Sequence, residues 1–164
     1  MRPDVHHFED DGAIPNSPLP VLVYAGALER DAGARAYEDL FAEHGWLGAW
    51  RDGIFPFHHF HSTAHEVLGI AAGSAEVMLG GADGHRFELR AGDVVVLPAG
   101  TGHCNLGSSD DLLVVGAYPD GMDRDLRRGD PAEHDEVVAN IARVPLPDQD
   151  PVQGENGGLV EVWR

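Results

Sequence analysis

The stretch FHHFHSTAHEVLGI, Phe57 to Ile70, places His58, His59, His61, His65 and Glu66 in one short segment flanked by apolar residues. In an extended chain successive side chains point to opposite faces, and residues two apart share a face about 6–7 Å from each other. His59 and His61 therefore face together, while His58 faces the other way. A turn through Ser62 and Thr63 carries the chain into a following strand that begins near Glu66. By the same alternation His65 points away from the face that Glu66 occupies. Imidazole nitrogens and a carboxylate on one face suit a divalent first-row metal (Fe, Mn, Ni, Co or Zn) without any thiolate.

A fourth donor comes from GDVVVLPAGTGHC, Gly92 to Cys104. A strand from Asp93 to Leu97 ends at Pro98, and the Pro-Ala-Gly-Thr-Gly turn delivers His103 into the next strand. Hairpin-joined strands in a barrel bring His103 beside His59 and His61. Cys104, its neighbour, faces the opposite way and reads as a small buried hydrophobe.

Around these two segments the chain from Gly53 to Pro119 is a run of short strands. They are IFPFHHFHS, HEVLGIAAG, SAEVMLGG, HRFELRAG, DVVVLPAG and DLLVVGAYP, with GGADG as a hairpin loop. Close-set strands separated by glycine-rich turns predict an all-β sandwich or barrel. Before them lie a polar arm to about Pro20, a strand in PVLVYAGAL expected to pair outside the main sheet, and a helix from Asp31 to His44 stopped by Gly45. After them, Asp130, Pro131 and Glu133 open a short helix in AEHDEVVANIARV, and LVEVW is expected to add a last strand to the sheet. The organisation is one domain: an N-terminal arm, strand and helix over 1–52, the barrel core over 53–119, and a C-terminal helix and strand over 120–164.

Composition narrows the partners. The 164 residues carry a formal net charge of −17, which repels phosphate backbones and anionic lipid surfaces. Nucleic acid and membrane are therefore not expected as partners. With one cysteine, no intrachain disulfide or thiolate zinc cluster forms. The start MRPDVHHFEDDG lacks a basic and then apolar leader, and no apolar run reaches bilayer length, so a cytoplasmic protein is expected. A homodimer through the N-terminal strand is expected as well. Phe57, Leu68, Ile70, Met78, Phe87 and Val96 are candidates to alternate inward and line a pocket. Arg51 and Arg86 are the nearest charged candidates, in a chain with no lysine. Trp46 and Trp50 read as packing between helix and barrel, or as a lid or dimer contact. His6, His7, His44, His85 and His134 read as solvated.

The spacing of the two segments resembles the cupins. Their first motif, a glycine, five residues, H-x-H, three or four residues, a glutamate, six residues and a glycine, is met by Gly53, His59, His61, Glu66 and Gly73. Their second motif, a glycine, five residues, P-x-G, two residues, a histidine, three residues and an asparagine, is met by Gly92, Pro98, Gly100 and His103. Gly107 stands where the asparagine belongs, a departure outside the ligand set. WRDGIFPFHHFHSTAHEVLGI, GDVVVLPAGTGH and VVGAYPDG further resemble a YjlB-like group of bacterial single-domain cupins. The resemblance implies a double-stranded β-helix, or jelly-roll barrel, with a few peripheral α-helices. It also implies that His59, His61, Glu66 and His103 hold the metal.

Four protein ligands leave up to two positions on an octahedral ion for water, substrate or dioxygen. The leading expectation is a metal-dependent, dioxygenase-type reaction on a small organic substrate. The alternatives are a non-redox lyase or isomerase, with Glu66 as base and His65 as a proton relay, a small-ligand-binding module, and a structural barrel within an oligomer.

Overall fold

The computed structural model describes residues 1–164. Nine strands form two antiparallel sheets. They are β1 (Asp4–His6), β2 (Val21–Tyr24), β3 (Trp46–Asp52), β4 (Glu66–Ala72), β5 (Ser74–Leu79), β6 (His85–Arg90), β7 (Val94–Leu97), β8 (His103–Ser108) and β9 (Leu113–Pro119). The larger sheet runs β1-β2-β7-β4-β9-β3 and the smaller β6-β5-β8. Three helices accompany them: α1 (Ala34–Glu43), α2 (His134–Arg143) and α3 (Gly158–Val162). No helix is long and apolar enough to cross a membrane.

Strand alternation divides the larger sheet into two buried faces. Leu68, Ile70, Val95, Leu97 and Val114 point inward and pack on Ala75, Val77, Leu79 and Leu89 of the smaller sheet. Val67, Val94, Val96, Val115 and Ala117 point outward and are covered by Tyr37 and Phe41 of α1, Trp46, Leu159 and Trp163. Because both faces are covered, β2, β4 and β7 read as unbroken apolar runs rather than as alternating ones. The α1 stripe Ala34, Tyr37 and Phe41 is the one its sequence period predicts. Gly69 allows the close approach of that helix, since a Cβ there would lie 2.3 Å from the Tyr37 ring. The Tyr37 hydroxyl donates to the Ile70 carbonyl at 2.7 Å and accepts from the Gly92 amide at 3.0 Å, which ties helix to sheet.

Four expectations need correction. First, β2 does not pair outside the main sheet: it is hydrogen-bonded to β1 on one side and β7 on the other. β2 therefore has no free edge, and β1 is the N-terminal strand that stands at the edge of the sheet. Second, Trp46–Asp52 is a strand, pairing with β9 across an irregularity between Leu47 and Trp50. The first 52 residues thus supply three strands to the larger sheet rather than an appended arm and strand.

Third, IFPFHHFHS is not a continuous strand. His59 exchanges backbone hydrogen bonds with His103, Phe60 with Arg127, and the His61 carbonyl accepts from Gly100. The chain changes partner at each residue, so only isolated bridges form. Fourth, LVEVW does not extend the sheet; its residues from Gly158 to Val162 form α3. The Leu159 amide in its first turn donates to the Asp150 carboxylate at 3.0 Å, and Trp163 donates its indole N–H to the Pro20 carbonyl at 3.0 Å. Those two tertiary bonds, with Leu159 and Trp163 buried beneath the sheet, outweigh the strand-like alternation of the sequence.

Candidate metal centre and its cavity

Two stretches of the chain, His59 to Glu66 and the start of β8, converge inside the barrel. Glu66 is the first residue of β4 and shares its inner face with Leu68 and Ile70. His103 opens β8 after the Pro-Ala-Gly turn, and His61 follows the bridge that pairs His59 with His103. Both imidazoles present Nε2 to the same carboxylate oxygen, His61 at 3.4 Å and His103 at 3.4 Å from Glu66 Oε1. The ligand atoms of His61, Glu66 and His103 all lie within 4.8 Å of one another. His59 is not part of this trio, but it lines the same cavity and its ring centroid is 3.9 Å from that of His103.

Each of the three imidazoles is oriented through its other nitrogen. His59 Nδ1 bonds the Phe57 carbonyl at 2.9 Å, His103 Nδ1 the Thr101 carbonyl at 3.1 Å, and His61 Nδ1 the Asp125 carbonyl. Only a donor nitrogen can bond a carbonyl, so Nδ1 carries the proton and the Nε2 lone pair is left for a ligand. Asp125 sits in the segment after β9. Its carboxylate accepts from the Ser62 amide at 2.6 Å, the Ser62 hydroxyl and Arg127 Nε at 2.9 Å. It therefore fixes both the backbone beside His61 and the carbonyl that holds the His61 ring.

The electrostatics suit ligation. Burial alone would raise Glu66, yet a proton on the Nε2 atoms of His103 and His61 that face it outweighs burial and keeps the carboxyl ionised well below its ordinary range. In the neutral rings that position is the lone pair a metal ion would take. Burial would lower His61, but the Glu66 carboxylate and the Asp125 carbonyl reverse that and raise it. His59 is lowered to about 3, first by burial and then by the charge of His103. Such a donor set, buried imidazoles with fixed tautomers around one ionised carboxylate, fits a divalent transition metal.

The centre lies at a cavity of about 480 Å³, within the range typical of small-molecule sites. Trp50, Ile54, Phe55 and Leu68 form apolar wall, and Tyr118 and Arg124 add polar groups. Gly116 makes the Trp50 position possible, because a Cβ there would lie 2.2 Å from the indole. Trp50 then donates its N–H to the Tyr118 hydroxyl at 2.7 Å. Burial raises the Tyr118 hydroxyl strongly, with the Glu66 charge adding to the effect, so it stays protonated.

Several sequence expectations change here. Of the six residues expected to line the pocket, Leu68 does so, whereas Ile70 belongs to the core between the sheets and Val96 to the outer face. Phe57, Met78 and Phe87 are not in the lining either; Phe57 stacks on Phe55 with centroids 5.0 Å apart. Arg86 pairs with Glu76 on the smaller sheet, and Arg51 reaches the cavity but is held bidentately by Glu38 at 2.7 and 3.0 Å. Tyr118, Arg124 and Asp125 were not expected in the site, and Trp50 only as packing, a lid or a dimer contact. Inward parity along β9, which pairs Val114 with Gly116 and Tyr118, is the signal that finds Tyr118; the polar run PDGMDRD carries no comparable signal for Arg124 or Asp125. His44 and His134 are not simply solvated: His44 Nδ1 bonds the Pro151 carbonyl, and His134 pairs with Asp10.

His65 has no route to the cavity. It is 2 % exposed on the outer face, its ring centroid 4.9 Å from Trp163. Its Nδ1 accepts from the Ala99 amide at 2.9 Å and its Nε2–H donates to the Pro145 carbonyl at 3.2 Å. A relay role has no geometric support, because both nitrogens are already engaged in the core. The Ala99 donor also excludes a second proton on Nδ1. Burial accordingly lowers His65 from 6.5 to about 4, the Pro145 carbonyl opposing it weakly. Between those values the unfolded chain binds the extra proton and the folded one does not. Stability is therefore complete above pH 6.5 and falls as the pH drops toward 4, by about 3 kcal/mol at most. Urea unfolding of EDTA-treated protein at pH 7.5 and 4.5 should show a loss that His65→Gln reduces by about half, the rest coming from His59, which burial lowers further. Equal losses in the two proteins would sink this account.

Comparison with known proteins shows the family. A family model described as Cupin matches residues 51–121. The uncharacterized protein YjlB of Bacillus subtilis (strain 168) is 43 % identical over 159 residues, spanning 96 % of this chain and 94 % of the relative. The chain is a cupin of the YjlB-like group. This cupin also matches quercetin 2,3-dioxygenase of Bacillus subtilis (strain 168), 33 % identical over 101 residues, covering 56 % of this chain and 28 % of the enzyme. Among solved structures it is similar to acireductone dioxygenase from Bacillus anthracis with a cadmium ion in the active centre. That match has a TM-score of 0.44 at 18 % identity, over 63 % of this chain and 80 % of that one.

Proposed function

We propose that this cupin holds one divalent first-row metal through His59, His61, Glu66 and His103 and carries out a dioxygenase-type reaction on a small organic substrate bound in the adjoining cavity. One observation carries the reading. Three imidazoles have their Nδ1 atoms tied to backbone carbonyls, and two of them aim Nε2 at a single buried, ionised carboxylate. A structural histidine cluster has no need of three fixed tautomers with free Nε2 lone pairs.

A bound ion of this class supplies Lewis-acid or redox chemistry together with open coordination positions. The chain's own groups do the rest. The Phe57, Thr101 and Asp125 carbonyls orient the rings, and Glu66 supplies the one negative ligand. Trp50, Ile54 and Leu68 keep water from the substrate side, which strengthens every charge interaction within. The Tyr118 hydroxyl, protonated, donates toward the Glu66 carboxylate and accepts from Trp50, which steadies the negative ligand.

The test is elemental analysis of protein purified without a metal-affinity tag, followed by oxygen uptake with added Fe(II), Mn(II) or Ni(II) over small acids, diols and thiols. About one metal per chain with substrate-dependent oxygen consumption is expected. Bound zinc without oxygen uptake would move the assignment to a non-redox lyase, an isomerase or a ligand-binding role. A protein that takes up no metal even on reconstitution would overturn the reading.

A further inference from the structure

The cavity beside the metal centre holds one cation that no carboxylate neutralises. Arg124 lines it with its guanidinium carbon 4.9 Å from the Tyr118 ring centroid and takes part in no ion pair. Of the other charged groups of the lining, all but the exposed Asp52 are already paired with an opposite charge or ring. Arg51 is held by Glu38, Asp125 by Arg127 and Ser62, Glu66 by His61 and His103, and Asp52 caps the Gly53 amide at 2.8 Å. The backbone carrying Arg124 is pinned on both sides: the Thr63 hydroxyl donates to the Asp123 carbonyl at 3.0 Å and accepts from the Asp125 amide at 3.0 Å. An exposed side chain thus springs from a fixed point at the cavity mouth.

We propose that the cavity selects a small monocarboxylate with an apolar body, its carboxylate paired with Arg124 and its apolar part laid against Trp50, Ile54 and Leu68. A guanidinium offers two parallel N–H donors that match a carboxylate, and stacking on Tyr118 presents that fork in one plane. The charge balance of the centre points the same way. Three neutral imidazoles and one carboxylate leave a divalent ion with a net charge of +1, so centre and Arg124 both attract an anion within a chain of net charge −17. The assignment deepens the proposed reading of this cavity and rests on it for the metal contribution, but not for the Arg124 contact.

The experiment is calorimetric titration of the full chain as purified with benzoate and with benzamide, which has nearly the same shape and no charge, with metal content measured on the same samples. Benzoate should bind about tenfold or more tightly than benzamide. Arg124→Gln should abolish that preference, weakening benzoate about tenfold while changing benzamide less than about twofold, with metal content unchanged. Arg51→Gln, an equal change of charge at the same mouth, should move neither ligand by more than about twofold, because Arg51 is already held by Glu38. Benzoate binding equal in Arg124→Gln and the unsubstituted protein, an equal loss in Arg51→Gln, or no preference for benzoate at all would each overturn the proposal. A selectivity that follows Arg124 in protein without metal would remove the metal reading and leave this one standing. Stoichiometric metal with a selectivity indifferent to Arg124 would do the reverse.

Discussion

Asp150→Ala should lower the unfolding free energy by about 3–5 kcal/mol, the largest loss expected from truncating any single buried polar side chain in this chain. Asp150 is fully buried, with 0 % exposure, and no cation faces it. Its carboxylate instead accepts from three backbone amides, Val152 at 2.7 Å, Gln153 at 3.0 Å and Leu159 at 3.0 Å, and from the Tyr24 hydroxyl. Alanine leaves those four donors without a partner in a site packed closely enough that Gly157 has no room for a Cβ beside the carboxylate. Each buried donor left unmet costs about 1–3 kcal/mol, and local relaxation and water entry keep the sum below the arithmetic total. Asp150→Asn keeps the shape but turns one acceptor into a donor against Tyr24 and Leu159 or against Val152 and Gln153, so about half the loss is expected. Urea midpoints with unchanged slope would measure both, and for a chain of this size the alanine loss corresponds to a fall in melting temperature of about 10 °C. A loss below about 1 kcal/mol would show that water replaces the carboxylate at little cost.

That prediction concerns a residue which nothing in the sequence marks, and the reason is general to this fold. Strands β4, β5, β7 and β9 were legible because each is a short, largely apolar run closed by Gly, Pro or Asp. β6 and β8 are mostly polar and were marked only by the turns before them. The four ligand candidates were legible because their spacing along the chain is local and fixed. Beyond those, information lies in tertiary contacts. Trp46–Asp52 is an edge strand, mostly exposed and interrupted at Gly48, so no alternation announces it. Leu-Val-Glu-Val-Trp alternates like a strand, but Asp150 and the Pro20 carbonyl capture its two ends and wind it as a helix. Val21–Tyr24 is apolar on both faces, which fits an outlying strand as well as a central one, and only its pairing with β7 decides. Asp125 and Arg124 fall in a stretch with the composition of a surface loop. One holds His61 through a backbone carbonyl, a contact that has no residue-type signature at all.

Replacing His61 by alanine should cost the protein most of its metal, at least about a hundredfold in affinity, whereas His58→Ala should leave occupancy within error. His61 supplies an Nε2 atom 3.4 Å from Glu66 Oε1, and removing the ring deletes a neutral donor while leaving Glu66 with one fewer hydrogen bond. His58 lies outside the cavity lining, and its Nδ1 is buried with no hydrogen-bond partner, so the ring fixes nothing in the centre. Asp125→Ala should fall between them, about tenfold, because the carbonyl that orients His61 survives while the clamp on Ser62 and Arg127 is lost. Metal content after dialysis against a graded chelator series reads all three on one scale. Equal losses in His61→Ala and His58→Ala would undo the assignment of faces on which the whole site rests. Acid should release the metal by the same logic, with the sign set by His61. The Glu66 charge and the Asp125 carbonyl raise its proton affinity above that of an ordinary imidazole, so in the metal-free state it is protonated at a higher pH than His59, which burial lowers to about 3. A proton on His61 Nε2 occupies the lone pair a metal needs, and apparent affinity therefore declines as pH falls from the neutral range, beginning at His61. In Asp125→Ala the decline should begin at a lower pH, since the ring keeps the carbonyl but loses the Asp125 carboxylate charge, which also favours its protonated form.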